Sequence, residues 1–191
     1  EAKVFESEPK DGQEKYFVNC PYPYMNGYLH LGHAFTYLRA DMVSRYQRMK
    51  NKNVLFPFAF HCTGTPIVAA AQRVKEGEKI QISALKQMGL SDTLIKKFSD
   101  PEEWTKHFPD KAIEDLKKFG SSIDWRRSFI TTSLNPPYDR FIRWQFNQLL
   151  KNDYLIKGSF PVVWCPKRET VVGDHDRLSG EGETPQEYTL L

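Results

Sequence analysis

The chain has 191 residues, of which 40 % are hydrophobic and 27 % are charged, so it holds enough apolar residues to form a core. These values exclude a disordered or collagen-like chain, and no apolar run approaches the roughly 18 residues that a membrane-spanning helix needs. The net charge of +3 is too small to indicate a nucleic-acid partner by itself. Three widely spaced cysteines provide neither a disulfide framework nor a Cys-x-x-Cys metal site, and a cytoplasmic protein is expected.

The first third of the chain predicts a βαβ unit that follows a polar leader at residues 1–14. Residues 16–20 are mostly strand-forming and stop at two prolines. In residues 32–50 the apolar positions recur every three or four residues, which is the period of a helix. Residues 54–60 are nearly all apolar, as in a strand that is buried on both faces of a parallel sheet, although Pro57 interrupts them.

The remaining chain predicts further helices and short strands. Thr65 is expected to cap the next helix, with proline at its first helical position. Helices are predicted over residues 65–74, 84–88, 91–98, 101–107, 111–119 and 138–150, and strands over 123–125, 129–132, 160–165 and 188–191. The predicted fold is therefore α/β: residues 15–150 form the first half of a Rossmann-like, doubly wound parallel sheet with a helical segment, and residues 151–191 form a small β-rich segment.

Basic residues are concentrated at the end of the first long helix, with a single acidic residue, Asp41, among them. This run predicts either a surface that faces a polyanion or an ordinary solvated helix face. The basic residues are Arg39, Arg45, Arg48, Lys50 and Lys52.

The strongest candidate site is the sequence His30-Leu31-Gly32-His33, at the point where the first loop leads into this helix. A helix start has unpaired backbone N–H groups and the positive end of the macrodipole, and both stabilise a phosphate. Two imidazoles three residues apart share one side of the helix, and Gly32 has no side chain to keep a nucleotide from the backbone. The alternatives are a structural cap, a surface pair or a metal site that would need His61 or Cys62 as a further ligand, for which no ligand spacing exists.

The sequence around the two histidines resembles the signature of class I aminoacyl-tRNA synthetases, in the form found in archaeal and eukaryotic cytosolic leucyl-tRNA synthetases. Five motifs in the same order carry the resemblance, which covers residues 15–191. They are PYPYMNGYLHLGHA (21–34), NVLFPFAFHCTGTPI (53–67), DWRRSFITT (124–132), FIRWQF (141–146) and GDHDRLSGEGETPQEYTL (173–190).

The resemblance implies an enzyme that activates leucine with ATP and Mg²⁺ to leucyl-adenylate and then transfers the leucyl group to tRNA(Leu). It implies that His30 and His33 are catalytic and stabilise the charge on the ATP phosphates. It also implies an ATP site and a leucine pocket. The expected ATP-binding residues are Asn26, Gly27, His30, Gly32 and His33, and the expected leucine-binding residues are Tyr22, Tyr24 and His61.

Tyr22 and Tyr24 have ordinary core packing as an alternative role, and His61 has a structural role at the end of a strand. Many relatives have an acidic residue in the motif that contains His61. A neutral imidazole can still accept a hydrogen bond from the leucine ammonium group, whereas an imidazolium would repel it.

Several family features are expected to be absent. No zinc is predicted, because Cys165 and His175 lack the paired spacing of a zinc module. The Lys-Met-Ser-Lys-Ser loop and the editing domain are not found in the sequence. We therefore expect a fragment that is inactive or very weak alone, whose β-rich end leads toward the missing insertion and whose partner is the remainder of the catalytic domain.

Two other classes of protein remain open from the sequence. The first is a non-catalytic nucleotide- or tRNA-binding fragment or paralogue, and the second is a stand-alone nucleotidylyltransferase. Within the synthetases, isoleucyl and valyl enzymes are near neighbours of the leucyl enzymes. No membrane partner is expected.

Overall fold

The computed structural model describes residues 3–159, 161–166 and 169–172. In these ranges no helix combines the length and the apolar character needed to cross a membrane. The predicted strand over residues 188–191 and the acidic segment from residue 173 lie outside the described residues. The division of the chain at residues 15 and 150 stays a prediction.

A parallel sheet is built around the apolar segment 53–61, as the sequence predicts. Strand β1 (Lys15–Phe17) pairs with β2 (Asn53–Leu55), and β3 (Ala59–Phe60) pairs with β4 (Phe129–Ile130). Both pairs are parallel, which confirms the predicted α/β class.

The two chain segments that pair with residues 53–61 lie on opposite edges of this central segment. The Leu55 carbonyl accepts a hydrogen bond from the Val18 N–H group, whereas the Phe56 carbonyl accepts one from the Asp124 N–H group. Successive backbone groups of a strand point to opposite sides, so the central segment has β1 on one side and the chain before β4 on the other.

Pro57 divides the central strand into β2 and β3. Proline has no N–H group to donate to a neighbouring strand, so the regular ladder ends at this point. The register changes across the gap, because Phe17 pairs with Leu55 but Tyr24 forms a bridge with His61. The first chain segment advances seven residues from Phe17 to Tyr24, whereas the central segment advances six from Leu55 to His61.

Six helices account for most of the remaining described residues. They are α1 (Leu31–Met49), α2 (Thr65–Lys75), α3 (Lys79–Gln87), α4 (Asp92–Lys97), α5 (Pro101–Lys118) and α6 (Pro136–Lys151). A short antiparallel pair, β5 (Trp164–Cys165) and β6 (Thr170–Val171), follows α6. The predicted cap of α2 is wrong by one residue: Gly64, at φ 95°, is the N-cap, and Thr65 is the first helical residue.

Two helices predicted in the middle of the chain are one helix in the structure. Helix α5 continues through Pro109, although proline inside a helix removes one backbone hydrogen bond. Trp104, Phe108, Ala112 and Leu116, each four residues apart, are all buried. Their shared apolar face stabilises the helix across the proline.

The predicted strand over residues 123–125 is wrong. Residues Trp125–Arg127 form a 3₁₀ turn, because the Asp124 side chain accepts a hydrogen bond from the Arg126 N–H group. Side chains with a short carboxylate stabilise such turns in preference to an extended strand.

The basic run at the end of α1 holds this helix to the loop that precedes β4. Arg48 donates to the Ser122 hydroxyl (2.7 Å) and carbonyl (3.0 Å), and Arg45 donates to the Gly120 carbonyl. Lys52 pairs with Glu14 at 2.5 Å. These three cations therefore have partners within the fold, which neither sequence-based interpretation included.

The polar leader also contacts the fold. The Ser7 N–H group donates to the Asp124 carboxylate at 3.1 Å, and Asn53 donates to the Glu8 carbonyl at 2.6 Å. Arg126 pairs with the Glu8 carboxylate at 2.5 Å. The polar composition of the leader alone did not predict these attachments.

Candidate active site

Both histidines of the His-Leu-Gly-His sequence form the cap of helix α1. His30 is the N-cap residue, and its Nδ1 accepts a hydrogen bond from the Gly32 N–H group at 3.1 Å. The Nδ1 of His33 accepts in turn from the His30 N–H group at 3.3 Å. The centroids of the two rings are 3.9 Å apart, which confirms that the two imidazoles share one side of the helix.

These hydrogen bonds determine which nitrogen of each ring carries the proton. A backbone N–H group can only donate, so both Nδ1 atoms are unprotonated and each neutral ring has its proton on Nε2. Two of the backbone N–H groups that were expected to bind phosphate are thus used within the cap. The donors left for an anion are the imidazole Nε2–H groups, supported by the positive end of the helix.

His33 is neutral at physiological pH. Burial lowers its pKa, and the nearby His30 ring lowers it further. A second positive charge beside an imidazole is unfavourable, so the pair does not carry two charges.

Gly32 is needed by the His30 ring itself. A Cβ atom at Gly32 would lie 2.9 Å from Cε1 and 3.1 Å from Nδ1 of His30, both of which are closer than such contacts normally are. A side chain here would therefore displace the capping ring. This requirement is separate from the expected approach of a nucleotide, which stays a prediction.

His30 also lines a cavity of about 390 Å³ between the start of α1 and the end of α5. Leu31 and Ala34 form one wall, and Leu116 and Phe119 form the other. The helix entrance is therefore open to a cavity rather than closed off by the core.

A series of aromatic contacts joins His33 to the central strand. Its ring stacks on Tyr37 with the centroids 5.8 Å apart, and Tyr37 meets Phe58 edge-on at 5.0 Å. Phe58 contacts Tyr22 at 6.2 Å, and Tyr22 also contacts Phe129 at 5.9 Å. Tyr22 therefore has core contacts whether or not it also lines a pocket.

The second pair of predicted site residues, Tyr24 and His61, meets at the end of the central strand. Their ring centroids are 4.2 Å apart, and the His61 backbone bonds to Pro23 (2.8 Å) and Met25 (3.1 Å). Within the described residues, the Nδ1 atom of His61 is buried and has no hydrogen-bond partner. Burial lowers the pKa of His61, although a hydrogen bond with the Thr63 backbone opposes this shift, so the ring is neutral and can accept a hydrogen bond.

The loop between Tyr24 and His30, which joins the two pairs of predicted site residues, is held by contacts with the helical segment. Asn26 is exposed, while a Cβ atom at Gly27 would lie 3.2 Å from the end of the Met88 side chain. The Tyr28 hydroxyl lies 3.4 Å from Nε2 of His107 on α5. The structure thus gives Gly27 a packing role, and its proposed ATP role stays a prediction.

Sequence reasoning missed Tyr37 and the contact between Tyr28 and His107. Tyr37 follows His33 by four residues, the spacing at which two helical side chains meet, so periodicity contained a signal for it. No local pattern indicated His107, because it lies 79 residues from Tyr28.

The described residues contain no group of three or more His, Cys, Asp or Glu side chains that could hold a metal ion. His175, which the sequence analysis considered together with Cys165, lies outside the described ranges. The expectation of no zinc therefore stays a prediction.

Comparisons with known proteins extend over the whole chain. The sequence profile described as "tRNA synthetases class I (I, L, M and V)" matches residues 1–186. The leucine–tRNA ligase of Aeropyrum pernix is 50 % identical over 192 residues, which are 100 % of this chain and 20 % of that protein. The cytoplasmic leucine–tRNA ligase of Pongo abelii is 41 % identical over 230 residues, 96 % of this chain and 20 % of that protein.

A solved structure shows the same fold. The LeuRS of Agrobacterium radiobacter K84, crystallised with tRNA and LeuAMS, superposes with a TM-score of 0.64 at 22 % sequence identity. The match covers 89 % of this chain and 19 % of that chain. The present chain spans about a fifth of the length of the curated relatives it matches.

Proposed function

Since this chain belongs to the class I tRNA synthetases (I, L, M and V), we propose that it supplies the first half of the catalytic site of a leucine–tRNA ligase. The complete enzyme would join leucine to ATP as leucyl-adenylate and transfer the leucyl group to tRNA(Leu). The observation that carries the proposal is the pair of imidazoles in contact at the start of α1. The relatives named as leucine–tRNA ligases favour this function over a nucleotidylyltransferase or a non-catalytic binding protein.

The two histidines would bind the ATP phosphates through their Nε2–H groups. When the leucine carboxylate attacks the α-phosphorus and pyrophosphate leaves, negative charge grows on the phosphate oxygens. Donors that are already oriented stabilise that charge without reorganising, and one such donor contributes about 2.7 to 4 kcal/mol in comparable oxyanion sites. The cap supplies this orientation, because both rings are fixed through Nδ1.

His61 would bind the ammonium group of leucine. Its buried Nδ1 has no partner among the described residues, and an unsatisfied buried acceptor is compensated when a substrate donor reaches it. Tyr24, in contact with the His61 ring, and Tyr22 would line the pocket for the aliphatic side chain. Near-isosteric isoleucine and valine differ from leucine only in apolar shape, so the pocket alone discriminates weakly.

Magnesium would arrive bound to ATP. The described residues offer no cluster of metal ligands, so we derive no step from a metal held by this chain. We also propose a cytoplasmic protein without zinc, in line with three relatives whose names include "cytoplasmic" and with the three free cysteines.

The test is leucine-dependent exchange of pyrophosphate into ATP by the full-length protein that carries this sequence. We expect exchange with leucine and a decrease of at least about a hundredfold when His30 and His33 are both replaced by alanine, since two charge-stabilising donors are lost. A matched control replaces two exposed polar residues of α3, Ser83 and Gln87, by alanine. Absence of leucine-dependent exchange, or full activity without both histidines, would contradict the proposal.

A further inference from the structure

The orientation of His33 depends on a residue that no motif includes. An imidazole can rotate about its side-chain bonds, which would tilt the ring out of its plane and break the hydrogen bond that its Nδ1 accepts from His30. His33 is only partly buried, so burial alone does not prevent this rotation. The ring contacts available to restrict it are His30 at 3.9 Å and Tyr37 at 5.8 Å.

Tyr37 is the more rigid of these two contacts. Its side chain is 3 % exposed, whereas His30 lies at the exposed start of the helix. The planes of Tyr37 and His33 differ by only 17°, so the rings are stacked. An aromatic pair of this kind is stabilised beyond the apolar area that it buries.

The position of Tyr37 is set in turn by the central strand. Phe58, which is fully buried between β2 and β3, contacts Tyr37 edge-on with the planes at 87°. The Tyr37 ring is thus held between the sheet and the imidazole. Through it, the orientation of His33 depends on the core rather than on the exposed loop.

We propose that Tyr37 is a positioning residue, which holds the His33 ring by stacking in the orientation that caps α1 and leaves Nε2–H for a phosphate oxygen. The inference rests on the proposed function for the role of the phosphate, but the stacking itself is measurable without activity. The role belongs to the ring and not to the hydroxyl group. Phenylalanine should therefore replace Tyr37, while an aliphatic residue of similar bulk should not.

The titratable groups of Cys20 and Tyr37 are neutral, so their charges do not perturb a measurement of the His33 pKa. Burial raises the pKa of the Cys20 thiol, which lies near the Tyr37 hydroxyl, to about 11. Burial also raises the pKa of Tyr37. Apart from His30, these are the titratable groups that contact His33 or Tyr37 among the described residues.

The experiment compares Tyr37→Phe, Tyr37→Leu and Tyr37→Met in the full-length protein. Hydrogen exchange at the imidazole C2 position, followed by mass spectrometry, gives the pKa of each histidine separately. We expect Tyr37→Phe to leave the pKa of His33 unchanged. The leucine and methionine variants should raise it toward the ordinary histidine value of about 6.5, because the ring becomes more hydrated. His61 serves as the internal reference, and Tyr46→Leu, at an exposed position of the same helix, is the matched control.

The second readout is the pyrophosphate exchange rate at saturating leucine and ATP. We expect a decrease of roughly tenfold in the leucine and methionine variants and wild-type rates in Tyr37→Phe, since misplacing one group costs up to about a hundredfold. An unchanged His33 pKa in the aliphatic variants would overturn the proposal. Loss of folding in both variants would also overturn it, because the residue would then serve only the core. If the wild type catalyses no exchange, the proposed function fails while the pKa comparison still tests Tyr37.

Discussion

At the scale of single residues, the environment of one side chain in the candidate site lowers the stability of the folded chain. The buried Nδ1 of His61 lacks a partner among the described residues, and a buried acceptor in this state costs about 1 to 3 kcal/mol. Such a cost is tolerated where a ligand supplies the missing donor. We propose that leucine supplies this donor, so that His61 serves binding at a cost to folding.

Replacing His61 by phenylalanine should reveal this separation. The new ring keeps the contact with Tyr24 and removes the unsatisfied nitrogen, so the free energy of unfolding should stay the same or rise by about 1 kcal/mol. The KM for leucine should rise about tenfold or more, since the acceptor for the ammonium group is lost. Urea denaturation and exchange kinetics measure the two effects, and a lower stability with an unchanged KM would show that His61 is structural.

Part of the site was predictable at this scale and part was not. The spacing of His30 and His33 predicted that the two rings meet, because side chains three residues apart share one side of a helix. The use of both Nδ1 atoms in the cap was not predictable, because it depends on the rotamers of the rings. The sequence also suggested that Gly32 accommodates a ligand, whereas the structure shows that it accommodates His30.

At the scale of elements, a buried carboxylate holds α1 against the loop that precedes β4. Asp41 accepts hydrogen bonds from the Ser122 N–H group at 2.5 Å and from Arg45 at 2.7 Å. Burial alone would raise the pKa of Asp41, but the hydrogen bonds from Ser122 and Arg45 outweigh it and lower the pKa. Since α1 carries the capped histidines at its start, this contact also fixes the axis of the site helix.

Asp41→Asn should lower the free energy of unfolding by about 1.5 to 3 kcal/mol, because a hydrogen-bonded charge is removed beside a cation. The chain offers a matched control, Asp139→Asn on α6, where Arg143 forms a pair of the same spacing at 2.8 Å with its side chain 74 % exposed. The control should cost less than about 1 kcal/mol. Urea denaturation measures both, and equal losses would contradict the structural role of Asp41.

The helices show where local patterns suffice and where they do not. Periodicity predicted α1 to within one residue at each end, because its apolar positions repeat along one face. Pro109 suggested a break in α5, yet burial of the face formed by Trp104 and Phe108 outweighs one lost backbone hydrogen bond. Gly120 and Ser122, to which Arg45 and Arg48 donate, lie more than 70 residues away in sequence, so composition alone could not distinguish a solvated face from an internal contact.

At the scale of the whole molecule, stability should decrease as the solution becomes moderately acidic. Burial lowers the pKa values of His33, His61 and His107 in the folded chain. The unfolded chain therefore binds more protons than the folded chain once the pH falls toward and below about 6.5. The contribution of the neutral histidines is complete above that pH and is lost below it, whereas that of Asp41 is lost only in stronger acid.

We expect a lower urea midpoint at pH 5.5 than at pH 7.5. The triple variant His33→Gln, His61→Gln and His107→Gln should show a smaller difference between the two pH values, because three groups whose pKa is lowered by folding are gone. Equal midpoints for the wild type at both pH values would contradict the expectation. So would an undiminished difference in the triple variant.

The change of register at Pro57 determines which way the aromatic side chains of the site face. If the pairing of Phe17 with Leu55 continued without interruption, His61 would lie opposite Pro23, and the Tyr24 ring would point to the other surface of the sheet. One extra residue in the first segment reverses that alternation, as a β-bulge does. The one-residue offset thus makes a tyrosine and a histidine from two separate chain segments facing neighbours.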